Sequence, residues 1–98
     1  MQLQDINLLV METASQWLQN GVADIATEEI ADSAGDDALR IQIILKNTDI
    51  GMGMTGEQCV RILVEVHDQL LAKGDTRFPH IEYWTKEELE KDDDASEA

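Results

Sequence analysis

The run from Ala38 to Lys46 constrains this chain most, because Leu39, Ile41, Ile43 and Leu45 alternate with Arg40, Gln42, Ile44 and Lys46. Side chains on a strand point alternately to its two faces, so this period of two sends four apolar residues to one side. That face must be covered by another layer, and the flanking segments have the pattern to cover it. On the amino-terminal side, Ile6, Leu9, Val10, Thr13, Ala14 and Trp17 recur at helical spacing and predict an amphipathic helix over residues 5–20. Asp5 is the expected N-cap and Gly21 the expected terminator. Leu8, Met11 and Leu18 widen its apolar face.

On the carboxyl-terminal side, Thr55-Gly56-Glu57-Gln58 fits a capping box, in which Thr55 and Gln58 satisfy each other's backbone donors. The spacing predicts a long helix from there to Lys73, closed by Gly74. Cys59, Ile62, Leu63, Val66 and Leu70 form its main stripe, widened by Val60, Val64 and Leu71, so it is expected to be the most buried helix. Residues 22–32 read as a strand, although Thr27-Glu28-Glu29-Ile30 also has the makings of a helix start. Ser33-Ala34-Gly35-Asp36-Asp37 then reads as a turn. Residues 77–84 are aromatic and alternating, but Pro79 has no N–H to donate, which predicts an edge strand. Residues 47–56 read as a loop rich in glycine and methionine. Thr85-Lys86-Glu87-Glu88 is a second capping box, and the acidic residues 92–98 after it have nothing to bury.

These elements predict a single α+β domain over residues 1–85 in the order αββαβ, its helices packed on one face of a mostly antiparallel three-stranded sheet. An acidic tail, residues 86–98, follows it, expected to make one helical turn and then to be disordered. With 98 residues, 43% hydrophobic and 29% charged, the composition is that of a globular protein. No run approaches the ~18–20 apolar residues that span a bilayer, and Met1-Gln2-Leu3-Gln4-Asp5 lacks the basic start of a signal peptide. Cys59 is the sole cysteine, which fits a reducing compartment. The expected location is the cytoplasm.

The formal net charge is −14. Such a chain repels phosphate backbones and anionic membranes, so direct nucleic-acid binding is not expected and a basic protein partner is. The charge is local: residues 24–37 carry −6, residues 85–98 carry −5, and the rest only −3. Asp24, Glu28, Glu29, Asp32, Asp36 and Asp37 therefore form one candidate partner surface. Ile50, Met52 and Met54 are candidates for an adaptable apolar one, because methionine repacks readily. Tyr83 and Trp84 should point to opposite sheet faces, leaving one accessible for a homodimer contact through the edge strand or the uncovered sheet face.

Gly51-Met52-Gly53-Met54-Thr55-Gly56 spells GxGxxG between a strand and a helix, the pattern that cradles a dinucleotide. Three features argue against that use. Asn47 to Ile50 interrupt the tight strand-to-glycine turn, the chain is too short for a second mononucleotide half, and the preceding strand is expected to pair antiparallel. Cys59, His67 and His80 lack metal-site spacing, Cys59 lies on an apolar stripe rather than beside a base, and no EF-hand loop is present. No cofactor is expected.

The helix-then-hairpin order over residues 17–46 is similar to that of small phage baseplate proteins, across roughly a third of the chain and without a diagnostic motif. The leading expectation is a non-enzymatic protein-binding module, such as an inhibitor, an immunity-type protein or an adaptor. A structural or assembly subunit forming a homo-oligomer is the alternative, and a small enzyme with a site at a dimer interface the third.

Overall fold

The computed structural model describes residues 2–89, so the predicted tail at 92–98 lies outside the described residues. Helix α1 (Leu3–Leu18) passes through a 3-10 turn (Gln19–Gly21) into the hairpin of β1 (Val22–Ala31) and β2 (Asp37–Leu45). Short helix α2 (Thr48–Gly53) and long helix α3 (Gly56–Ala72) then lead to β3 (Phe78–Thr85). Residues 86–89 are helical. The class is α+β, with the sheet in the order β1-β2-β3.

β2 is the central strand because its pattern demands it. Leu39, Ile41, Ile43 and Leu45 are at most 1% exposed, covered by Ile6, Leu9, Val10 and Ala14 of α1 and Ile62, Val66 and Leu70 of α3. β1 pairs with β2 antiparallel, with a bulge between Val22 and Asp24. Asp32 sets the hairpin by accepting from the amides of Ala34 (2.9 Å) and Asp36 (3.0 Å). β3 lies at the other edge and runs parallel to β2. The sheet is thus mixed, since α3 carries the chain back along its length before β3 begins. The strand before the GxGxxG segment therefore has an antiparallel neighbour on one side and a parallel one on the other.

Several local expectations are corrected. The cap of α1 is Gln2 rather than Asp5, and the left-handed residue ending it is Gln19 (φ 54°) rather than Gly21. Gly21 serves close packing instead: a Cβ there would lie 2.9 Å from Ile50 Cγ2. That contact explains why residues 47–56 are not all loop, because Ile50 docks on Gly21 while Asn47 caps α2 by accepting from the Ile50 amide at 3.0 Å. The more buried helix is α1, with five buried residues against three on α3. On α3 the flanking Val60, Val64 and Leu71 stay 58%, 47% and 47% exposed, because the sheet beneath is only three strands wide. The Thr55–Gln58 capping box forms in both directions. Polar ties join the layers: Thr13 Oγ1 donates to Leu9 O and accepts from Gln69 Nε2, and Trp17 Nε1 donates to Glu65.

Candidate functional site

β2 and β3 end side by side at Leu45 and Thr85, and the chain leaves both ends into helical segments that cannot fill the space beyond them. A cleft of about 340 Å³ results, floored by Leu45, Tyr83 and Thr85 and walled by Gly51 and Met52 of α2, Met54, and Cys59 of α3. Trp84 and Glu88 close the side nearest the end of β3. The space beyond the carboxyl ends of neighbouring parallel strands is where open α/β sheets leave a binding crevice. Its volume lies within the usual range for ligand pockets.

Each wall is held by a local rule. Asn47 starts α2, Thr55 and Gln58 start α3, and Thr85 Oγ1 accepts from the Glu88 amide at 3.1 Å to start the turn after β3. Thr48 Oγ1 donates to Glu87 Oε2 at 2.6 Å, tying α2 to that turn across the cleft. Met52 projects at 80% exposure, whereas Met54 and Ile50 pack partly against the core.

Tyr83 lies between this cleft and a second groove, of about 330 Å³, between α3 and β3. Its Oη is buried and makes no well-formed hydrogen bond within the described structure. Burial, with a smaller contribution from the neighbouring Cys59 thiol, pushes its ionisation well above the ordinary tyrosine range. The phenol stays protonated, a donor and not a base. His67 and His80 both lie against the Phe78 ring, at centroid separations of 5.3 and 5.1 Å. Among the described residues no group of three or more His, Cys, Asp or Glu side chains converges as a metal site.

The eleven residues singled out from the sequence do not meet. Met52, Met54, Tyr83 and Trp84 line the cleft, and Ile50 braces it from behind. The acidic set runs along β1 from Asp24, opposite Ile44 at the cleft end of β2, to Asp36 and Asp37 at the hairpin tip, roughly 25 Å from the cleft along β2 at the strand rise of ~3.3 Å per residue. Within that set, Glu28 pairs with Arg40 (3.0 Å) and Glu29 with Arg77 (3.0 Å), while Asp32 is spent on the turn. Asp24 Oδ1 accepts from the Ile25 amide at the bulge. Asp36 and Asp37 are exposed at the hairpin. Arg40 also donates to Glu82 through Nε (2.8 Å) and Nη2 (3.2 Å), and Trp84 Nε1 donates to the same carboxylate.

Sequence reasoning did not assign Leu45, Cys59, Thr85 or Glu88 to this site. Leu45 and Thr85 become visible only once the parallel register places them side by side. Comparison with protein families, curated proteins and solved structures finds no match. No helix among the described residues is long and apolar enough to cross a membrane.

Proposed function

We propose that this chain is a non-enzymatic protein-binding module, of inhibitor, immunity-type or adaptor kind, that seats a basic, partly apolar peptide segment of a partner in the cleft. One observation carries the reading: the apolar cleft is bordered by exposed carboxylates. Glu88 lines the cleft and Glu87 bonds to its wall at Thr48, while Asp49 and Glu57, exposed on α2 and α3, are next in sequence to the lining residues Thr48 and Gly56. Apolar side chains of such a segment contact Met52, Met54 and Tyr83, and its Lys or Arg residues reach the rim. Met52 adapts to sequences of different shape. The setting proposed is the cytoplasm, where the lone Cys59 thiol stays reduced.

The test is selection of a displayed random-peptide library on the full chain. Enriched peptides should alternate apolar residues with Lys or Arg. They should lose affinity for Met52→Asp, and weaken at 1 M salt, where the screening length falls to about 3 Å. Failure to enrich any peptide, or enriched peptides that bind Met52→Asp as well as the parent, refutes the reading.

A second reading, self-association as a homodimer, is favoured by a different observation. The outer edge of β3 is flanked by Val60, Val64, Leu71 and Phe78, four of the six large apolar side chains left exposed among the described residues. Light scattering over a range of concentrations tests it, and a monomer mass throughout refutes it.

A further inference from the structure

The two edges of the sheet differ in charge. β1 and its hairpin present Asp24, Glu28, Glu29, Asp32, Asp36 and Asp37, and charged edges resist pairing with another strand. β3 carries one ionised residue, Glu82, which Arg40 holds on the face of the sheet away from the helices. The lone proline of β3, Pro79, stands near its start, so it withholds at most one donor from an incoming strand. Beside this edge, α3 lines up Val60, Val64, His67 and Leu71 at helical spacing, and the Phe78 ring meets His67 and His80 at tilted, edge-on angles. An unguarded strand thus runs alongside an exposed apolar helix stripe.

From this edge we infer that two copies of the chain pair β3 against β3, antiparallel, with Ile81 on the two-fold axis. The inference rests on the self-association reading and adds the register. Placing both apolar α3 stripes on the same side of a continuous six-stranded sheet requires residues of the same parity to face one another. With Ile81 on the axis, Ile81 faces itself, Pro79 faces Tyr83, His80 faces Glu82 and Phe78 faces Trp84. The cross-strand pairs are then apolar with apolar, aromatic with aromatic and imidazole with carboxylate. The neighbouring registers are worse. An axis at His80 sets the two imidazoles together and Phe78 against Glu82, and an axis at Glu82 sets two carboxylates face to face. Of these three central registers, the strand Phe78-Pro79-His80-Ile81-Glu82-Tyr83-Trp84 is complementary to its own reverse only about Ile81. The acidic strand β1 falls at the two outer edges of the assembly, where its charges oppose further growth.

The experiment uses the full chain with Cys59→Ser as background and single cysteines added along β3. A dimer mass by light scattering is expected. Ile81→Cys should cross-link under mild oxidation, while His80→Cys alone and Glu82→Cys alone should not. A mixture of the His80→Cys and Glu82→Cys chains should give the mixed disulfide. His80→Glu, which sets carboxylates opposite one another, should weaken the dimer on the order of tenfold while circular dichroism stays unchanged. A monomer mass for the parent at every concentration overturns both the register and self-association. A parent dimer in which a different single cysteine cross-links, and Ile81→Cys does not, overturns the register and leaves self-association standing.

Discussion

Asp75→Asn is the most informative substitution for stability, because one carboxylate organises the passage from α3 into β3. Asp75 Oδ1 accepts from the Arg77 amide at 3.1 Å and from Nε at 3.0 Å, and Oδ2 accepts from Nη2 at 2.7 Å. The Asp75 side chain is 4% exposed and that of Arg77 is 19%. The hydrogen bonds from the Arg77 side chain hold the carboxyl down at about 2, against an ordinary 3.8, with burial opposing them. At about 1.4 kcal/mol per pKa unit the full depression corresponds to roughly 2.5 kcal/mol. Solvent reaches the pair through Arg77, and screening there reduces this to about 1–2 kcal/mol. A depressed folded-state pKa stabilises above the unfolded-state value, and that stability is lost as pH falls through the folded-state value. The parent should therefore exceed Asp75→Asn by its full margin at pH 7, a urea midpoint difference on the order of 1 M. The margin should close between about pH 4 and pH 2. Equal midpoints at pH 7, or a margin that persists undiminished at pH 2, would show that the fork does not act electrostatically.

Three further substitutions probe the rest of the fold. Ile41→Ala empties the middle of the central strand, where Ile41 is 0% exposed, and should cost about 2–5 kcal/mol in urea unfolding. Gly74 has φ of +83°, so Gly74→Ala should lose about 1–2 kcal/mol despite open space around its Cβ, read as a lower thermal midpoint. Thr55→Ala removes the acceptor for the Gln58 amide and should lower stability by about 1 kcal/mol, with helix α3 losing amide protection first at its amino end.

Periodicity made α1, β2 and α3 legible, because each buries one face and the burial imposes its period on the residues. The capping box at Thr55 and Gln58 was equally legible, being a local hydrogen-bond exchange between neighbours. What stayed hidden depends on partners far apart in the chain. α2 has three glycines' worth of flexibility around it, and it forms because Ile50 finds the bare backbone of Gly21. The direction of β3 is fixed by the distance α3 travels, which the alternation within β3 does not encode. The exposure of Val60, Val64 and Leu71 follows from a sheet of three strands, too narrow to cover the whole apolar face of α3. Met52, Met54, Tyr83 and Trp84 could be chosen by type, but their meeting at one cleft needed the parallel register.

The acidic segment looks different once its neighbours are in place. Read along the chain, residues 24–37 hold −6 with no cation among them. In the sheet, Arg40 from β2 reaches Glu28, Arg77 from the turn before β3 reaches Glu29, and Asp32 turns its carboxylate to backbone amides. A partner approaching the hairpin end of β1 therefore meets chiefly Asp36 and Asp37, where no large apolar side chain is exposed among the described residues, while Asp24 lies at the other end of the strand beside Leu8 and Met11 of α1. Charges at a rim steer association but supply little affinity without a desolvated core beside them. The cleft end has both, since Met52 and Tyr83 line the same cleft as Glu88, and Glu87 bonds to its wall at Thr48. Removing Asp36 and Asp37 together should thus leave peptide affinity at the cleft nearly unchanged, whereas removing Glu87 and Glu88 should flatten its salt dependence. The reverse result would return the docking surface to the hairpin.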